Sequence, residues 1–526
     1  MPVSSPQPPG AVPHSDRDLP RLLVLPRQTD PRGNCRSSGC VQGAARAYLD
    51  EAAPMHTSNN DEVRYPDKRA SFAKTLPHDD VGEVDVEAFN RFVAILTSGE
   101  ASGFEAIPRD RTAEVELNDP QATYAFDLVG RDSAATALDP APAFSSARMA
   151  SEMAEVYWLS LTRDVPFREY AKDSLLAEAV SDLNAFAEPL KSAAGEKLTP
   201  VTVFRGETPG DLIGPYLSQL LWLDIPYGIK SLEQRYTVPT RGQSFMTDYS
   251  DWLACQRGTR PRSSLHFDAT PRFICSAREL AEYVHRDFSF QSYMNAALIM
   301  LSLGKDALSP TNPYRGSRTQ FGDITLGSKN VLSMLAQAAL LAQKGAYFHK
   351  WQVHRRLRPE CFAGRIETQA RGQRRYDLHA DILNCNGVAR VQSLYGTRLL
   401  PVAFPEGCPT HPSYPSAHAC NAGACATILK ASSMQITCCH SRSRRRQTGW
   451  HWRRGVAPLS LLATRLTSSP ITLRSVAMPP AFTTAPTAFT GCSLASNKRS
   501  DCWRTTAALT TSASMVSSAG NSMVTG

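Results

Sequence analysis

Apolar residues recur along most of the chain at the three- and four-residue spacing that places them on one face of an α-helix. Residues 84–97 show this spacing most clearly, with an apolar face made by Val86, Phe89, Phe92, Val93 and Leu96. Segments 150–161 and 175–187 repeat the spacing, whereas strand-like alternation is rare and no internal repeat is visible. The pattern therefore predicts an all-α body over residues 60–430.

The longest apolar runs are too short to cross a membrane. Runs 294–303 and 334–342 fall well below the ~18 apolar residues that a spanning helix needs. Residues 1–54 are rich in proline, arginine and glycine, and they lack both periodicity and the apolar stretch of a secretory signal. We therefore expect a soluble protein whose cellular location the sequence does not indicate. Residues 1–59 should form a disordered extension. Within it, Met55 is an alternative start of translation.

The formal net charge of +8 comes from the C-terminal part of the chain. Residues 431–526 hold eleven Lys/Arg against one acidic residue, Asp501, which makes +10. The preceding 430 residues hold 46 basic and 48 acidic residues, which makes −2. The basic balance is therefore no sign of nucleic-acid binding by the body.

The 13 cysteines are scattered without a repeated metal-binding spacing. One group could suggest a metal site: Cys420, Cys425, Cys438, Cys439 and His440. We favour unrelated thiols, because the last three lie in the atypical C-terminal part. The odd count also argues against a disulfide scaffold.

Segment 328–359 (SKNVLSMLAQAALLAQKGAYFHKWQVHRRLRP) reads as one long helix that Ser328 caps. It is apolar nearly all round, which predicts burial, yet Lys350, His354 and Arg358 follow at helical spacing near its end. Because no acidic residue lies between Lys344 and Pro359, these cations pair with a remote carboxylate or a bound anion. The alternative is a solvated basic helix end that favours its own dipole.

Segment 411–430 (HPSYPSAHACNAGACATILK) predicts a helix that begins at Pro415-Ser416. Free N–H groups at such a start form a cradle for an oxyanion, and His418 adds a titratable group in the first turn. The small residues that follow permit close packing. The alternative is a capped helix with a packed histidine.

Taken together, the two segments resemble the vanadium-dependent haloperoxidases, which share a fold with the type 2 phosphatidic acid phosphatases. The step from Lys350 to Arg358 matches the bromoperoxidase branch, whereas the phosphatases usually show a step one residue shorter. The resemblance covers residues 60–430. The strings that carry it are Lys350-x7-Arg358-Pro359, Pro415-Ser416-Ala417-His418, HKWQVHRRLRPE, HPSYPSAHA, FRGETPGDLIGPYLSQ at 204–219 and DVPFREY at 164–170.

The resemblance implies an all-α fold of two four-helix bundles, assembled as a homo-oligomer, around a vanadate cofactor. Lys350 and Arg358 would bind vanadate oxygens, and Ser416 would hydrogen-bond another. Ala417 stands where the family usually has glycine, so its backbone N–H is kept and a methyl group is added. His418 would be the acid–base residue, and His411 matches a second histidine near the cofactor.

The implied reaction is the oxidation of a halide, bromide rather than chloride, by hydrogen peroxide, with halogenation of a small organic acceptor. Two alternatives stay open. One is a soluble acid phosphatase that uses the same cradle, and the other is a non-catalytic pseudogene product.

The resemblance also implies a third motif, G-R-D-x-x-G-x-H, whose histidine ligates vanadium. No histidine occurs in the corresponding stretch, 473–484. Reading plausible GC-rich codons of this stretch from their third base yields Gly-Arg-Asp-Ala-Ala-Gly-Val-His, which suggests a frameshift just after Ala431. In frame, only Arg445 and His451 mimic the motif's spacing. We therefore expect 431–526 to be an aberrant, disordered tail without an identifiable metal-ligating histidine.

Overall fold

The structure, a computed structural model, describes residues 55–124, 132–192, 195–205 and 216–433. All the helices and strands labelled below belong to one compact unit. The predictions for 1–54 and for the tail from residue 434 onward lie outside the described residues.

Helices of eight or more residues make up most of the described secondary structure. They are α1 Val86–Ser98, α2 Ala147–Thr162, α3 Ser174–Leu183, α4 Tyr249–Gln256, α5 Ala277–Arg286, α6 Gln291–Ser302, α7 Ser328–Phe348, α8 Pro359–Ala370, α9 Asn386–Tyr395 and α10 Ala417–Ser432. One-turn helices form at Asp61–Arg64, Ala101–Phe104 and Ala380–Leu383. An antiparallel hairpin joins β1 Ile225–Tyr227 to β2 Lys230–Leu232 and leaves the side chain of Tyr227 59% exposed.

Eight of these ten helices contribute two or more buried residues to one of two apolar clusters, four helices to each cluster. Buried residues of α2, α3, α8 and α9 form the first cluster, with Trp158 and Phe362 near its centre. Buried residues of α5, α6, α7 and α10 form the second, with Tyr293 and Leu335 fully covered. The fold is thus the helical one that the sequence predicted.

Helix α1 confirms the first predicted segment, with one correction. Asp85 caps it by accepting a hydrogen bond from the backbone N–H of Ala88 at 2.7 Å. Phe89 and Phe92 are buried on its inner face, but Val86 is 37% exposed because it lies in the first turn, beyond the edge of the core. The prediction over 175–187 was also too long, since α3 ends at Leu183.

Helix α7 differs from its prediction in three ways. Its N-cap is Gly327, and Ser328 is its first residue, directed toward Asp323. It buries one face rather than all of its surface, and Leu340 is 49% exposed. It also ends at Phe348, ten residues before the expected end at Arg358.

The cysteines of the described residues are free thiols. Six of the seven are buried, and Cys275 is partly exposed. Cys420 and Cys425 lie inside α10, whereas Cys438, Cys439 and His440 lie outside the described residues.

None of the helices in these ranges combines the length and apolarity needed to cross a membrane.

Candidate active site

A break in the helical path separates the two predicted cationic residues. After α7, residues His349–His354 form a π-helical turn, and Arg355 follows in the left-handed region at φ 37°. The chain then runs extended to Arg358, which precedes Pro359 at the start of α8. The prediction that Lys350 and Arg358 share one helix face is therefore wrong. Lys350 lies in the π-helical turn, whereas Arg358 lies in extended chain directly before α8.

Contacts with the N-terminal part of the unit hold this break in place. Two nitrogens of the Arg355 guanidinium, Nε and Nη2, donate to Glu62 at 2.8 and 3.0 Å, and its backbone carbonyl accepts from Phe72. The Trp351 ring meets Phe72 and Phe92 edge to face, at 5.6 and 6.1 Å between centroids. Arg355 thus keeps its strained left-handed backbone conformation because these contacts stabilise it.

Lys350 is a buried lysine without a carboxylate partner among the described residues. Its residue is 1% exposed, and Nζ donates to the backbone carbonyl of Pro412 at 2.7 Å. Within the described ranges, no carboxylate lies at ion-pair distance. Burial and the nearby charge of Arg358 lower the pKa of Lys350 well below its usual value.

Arg358 shares this lack of an acidic partner. It is 5% exposed, and no ion pair with it occurs within the described ranges. Its Nε atom is buried without a hydrogen-bond partner among the described residues. Two buried cations and an unsatisfied donor suit a tetrahedral oxyanion such as vanadate or phosphate, which would supply the missing negative charge.

The start of α10 has the geometry that the sequence predicted. Ser416 is the N-cap, and its hydroxyl accepts from the backbone N–H of Ala419 at 3.3 Å. Ala417, the first helical residue, is buried in a cluster with Ala342 and Ala346 of α7. The small side chains allow the two helices to pack closely, which brings the start of α10 to the end of α7.

Loop 411–416 is hydrogen-bonded to the segment that carries Arg358. The backbone N–H of Ser413 donates to the carbonyl of Arg356 at 3.0 Å, and its hydroxyl donates to the carbonyl of Leu357 at 2.7 Å. The two sequence segments that were predicted separately therefore form one site.

His411 lies within the electrostatic field of the two cations. Its Nδ1 atom is 3.0 Å from the carbonyl of Pro412, and its ring lies 5.6 Å from that of Tyr347. Desolvation and the charges of Lys350 and Arg358 lower the pKa of His411 well below its usual value. The ring is accordingly neutral at neutral pH.

His418 has a carboxylate partner that the sequence did not indicate. Its Nε2 atom lies 2.9 Å from Oδ1 of Asp287, whose side chain is 1% exposed. Asp287 directly follows α5 and is far from His418 in sequence. No local pattern marks it, because only the packing of α5 near α10 brings the pair together. The amide of Asn421 donates to Ser289 at 2.9 Å and further ties α10 to this turn.

Direct metal ligands are not gathered here. Within the described part of the chain, no group of three or more His, Cys, Asp or Glu side chains could hold a metal ion. The predicted substitutes Arg445 and His451, like stretch 473–484, lie outside that part. The site therefore offers contacts to the oxygens of an anion.

Proteins of known function are similar in sequence to this chain over most of its length. No family model matches. A vanadium-dependent bromoperoxidase of Ascophyllum nodosum is 32% identical over 407 residues, covering 74% of this chain and 72% of the relative. A vanadium-dependent bromoperoxidase of Corallina officinalis is 30% identical over 494 residues, covering 77% and 82%.

A solved structure shows the same likeness. The second vanadate-dependent bromoperoxidase of Ascophyllum nodosum, described as homohexameric, superposes with a TM-score of 0.71 at 29% identity, covering 82% of this chain and 73% of that one. The sequence similarity and the shared helical fold agree, and this chain belongs to the family of vanadium-dependent bromoperoxidases.

Proposed function

We propose that this chain binds vanadate and, with an intact third motif, oxidises bromide with hydrogen peroxide to halogenate small organic acceptors. The observation that carries the proposal is that two buried basic residues, Lys350 and Arg358, have no carboxylate partner in the part of the chain that the structure describes. The capped start of α10 supports it. The family relationship supports the same function. We further propose a homo-oligomer, as described for the Ascophyllum structure.

In this proposal four groups hold the cofactor's oxygens. The ammonium of Lys350 and the guanidinium of Arg358 neutralise the anion through charge-assisted hydrogen bonds. The Ser416 hydroxyl donates to another oxygen while it accepts from Ala419. The backbone N–H of Ala417 adds a donor at the positive end of the α10 dipole. The retained Ala417 N–H makes glycine unnecessary at this position.

When bound, vanadate supplies a Lewis acid toward hydrogen peroxide. His418 accepts the proton that peroxide loses. Because Nε2 of His418 is bound to the buried carboxylate of Asp287, Nδ1 is the ring atom available to accept that proton. Asp287 orients the ring. His411, whose pKa is lowered by burial and by the charges of Lys350 and Arg358, is a second proton-handling group beside the cradle.

The test is a vanadate-binding measurement on the full chain. Arg358→Ala should weaken the affinity for inorganic vanadate at least ~tenfold, because it removes a desolvated charge-assisted partner. Equilibrium dialysis with wild type and variant measures the change. Arg371→Ala is the matched control, since this arginine lies at the other end of α8 and pairs with Glu367.

We expect the control variant to bind vanadate like the wild type. Equal affinity of Arg358→Ala and wild type would remove Arg358 from the site. A wild-type chain without measurable affinity for vanadate or phosphate would refute the proposed cradle as a whole.

A further inference from the structure

Arg358 lacks the carboxylate partner that the neighbouring arginines have. The three arginines nearest to it in sequence are each paired: Arg355 with Glu62, Arg356 with Glu152 and Arg365 with Glu83, at 2.8, 3.3 and 3.0 Å. Within the described ranges, Arg358 forms no ion pair, although Glu360 follows it by only two residues. The surroundings of the Glu360 carboxylate therefore decide how much positive charge Arg358 can offer to an anion.

Both oxygens of the Glu360 carboxylate are occupied by other groups. Oε1 lies 3.2 Å from Nζ of Lys74, and Oε2 accepts the backbone N–H of Cys408 at 2.6 Å. The side chains of Lys74 and Glu360 are 2% and 0% exposed. Gly407 also lies against this carboxylate, since a Cβ added to Gly407 would be 2.4 Å from Oε2. The carboxylate is thus enclosed, and its charge is matched by Lys74 rather than by Arg358.

Lys74 uses all three of the hydrogen bonds that an ammonium group can donate. Besides its contact with the carboxylate, Nζ donates to the backbone carbonyls of Glu406 and Cys408 at 3.0 and 2.6 Å. The same chain segment continues into the anion site, where the carbonyl of Pro412 accepts from Lys350 at 2.7 Å. Lys74 therefore fixes the carboxylate against the segment that leads into the site.

An unneutralised carboxylate at Glu360 would oppose anion binding. Glu360 and Arg358 are two residues apart, so their Cα atoms are separated by at most about 7 Å. In a buried site charges are poorly screened, and they act on each other beyond contact distance. Without Lys74, an ionised Glu360 would repel the anion and attract the guanidinium of Arg358. Lys74 prevents both effects by supplying the opposite charge.

We propose that Lys74 is a positioning residue for the anion site: it neutralises Glu360 and holds it against segment 406–412, so that Arg358 keeps its charge for the bound anion. The inference rests on the proposed function, because it has a consequence only if Arg358 binds an anion. Lys74 and Glu360 act through Arg358 and do not themselves bind the anion.

The experiment is a double-mutant cycle of vanadate affinities, measured on the full chain by equilibrium dialysis. Lys74→Met should weaken vanadate binding about tenfold, because the charge of Glu360 is then unopposed. Glu360→Gln keeps an acceptor for the N–H of Cys408 and should bind within about twofold of wild type. The double variant Lys74→Met/Glu360→Gln should recover most of the lost affinity, because the opposing charge is absent. Inorganic phosphate, used as a competitor, should show the same order of affinities.

A matched control separates the effect of charge from the effect of stability. Arg365 and Glu83 form another buried ion pair on α8, with both side chains 5% exposed. Arg365→Met should lower the thermal midpoint like Lys74→Met and leave vanadate affinity unchanged. If Lys74→Met does not fold, Lys74→Gln keeps a donor for the backbone carbonyls without the charge. The same loss of affinity, and the same recovery by Glu360→Gln, are then expected.

The outcomes are distinct. Wild-type affinity in Lys74→Met or Lys74→Gln, with wild type binding vanadate, overturns the role of Lys74 and leaves the proposed function intact. A double variant as weak as Lys74→Met also overturns it, since the loss would then not come from the charge of Glu360. A wild type that binds neither vanadate nor phosphate overturns both.

Discussion

Individual residues of the cradle were predictable where their chemistry is carried by a short local pattern. Lys350 and Arg358 stand out because buried cations without nearby acids need an explanation, and Ser416 because it precedes a run of small helical residues. Asp287 could not be found in this way. It contacts His418, which is 131 residues away in the chain, and an aspartate after a helix is ordinary by itself.

The lowered pKa of Lys350 leads to a prediction about pH. In the anion-free protein, burial and Arg358 favour the neutral amine, and a bound oxyanion reverses this preference. Between this lowered pKa and the higher pKa of Lys350 in the anion-bound protein, binding therefore takes up a proton, so affinity falls as pH rises. Below the lowered pKa, Lys350 is charged in both states and contributes no pH dependence.

Calorimetric titration with inorganic phosphate, in buffers of different ionisation enthalpy, measures this uptake once phosphate's own protonation is subtracted. Lys350→Met should abolish the uptake and weaken binding, whereas the exposed Lys329→Met should change neither. Equal proton uptake in wild type and Lys350→Met would contradict the assignment.

At the scale of elements, helices α1, α2, α3, α7 and α10 were predicted as segments, whereas the break between α7 and α8 was not. The apolar and basic residues of 349–354 continue a helical pattern, so the local sequence does not indicate a π-helical turn. The break depends on Arg355 being held by Glu62 and Phe72, which are almost 300 residues earlier in the chain. Tertiary contacts thus overrode a local preference.

Helix α8 depends on the buried pair that its first turn forms with Lys74. Lys74→Met would leave the carboxylate of Glu360 buried without its cation, and the free energy of unfolding should fall by about 3–5 kcal/mol. Chemical denaturation at neutral pH measures the change. Lys329→Met, which breaks the exposed pair with Asp323, should cost less than about 1 kcal/mol. Similar small losses in both variants would show that the buried pair is not needed for stability.

At the scale of the molecule, the two groups of four helices follow from helical periodicity together with the family resemblance. Periodicity alone predicts many helices without their arrangement, because several bundles satisfy the same pattern. The division at residues 59 and 430 stays a prediction. So does the frameshift, since it concerns residues outside those that the structure describes.

Restoring the reading frame after Ala431 should convert a weak or inactive chain into a bromoperoxidase. The reason is that the shifted frame, when read with plausible GC-rich codons, encodes a motif with the arginine and histidine expected of the third motif. Both versions are expressed, loaded with vanadate and assayed for peroxide-dependent bromination. The restored chain with its motif histidine changed to alanine serves as the control and should be inactive. Equal bromination by the given and restored chains would reject the frameshift explanation.

The burial of the described cysteine thiols determines which side chains should be damaged during repeated turnover. An enzyme that releases oxidised bromine attacks its own most accessible reactive side chains first, and six of the seven described thiols are covered. Damage should then fall first on exposed thioethers such as Met55 and next on electron-rich rings at the surface, such as Tyr227 of the hairpin. Peptide mass spectrometry of the restored enzyme after sustained reaction should find bromotyrosine at Tyr227 and none at the buried Tyr157. The amount of this mark would record how many cycles a molecule has completed.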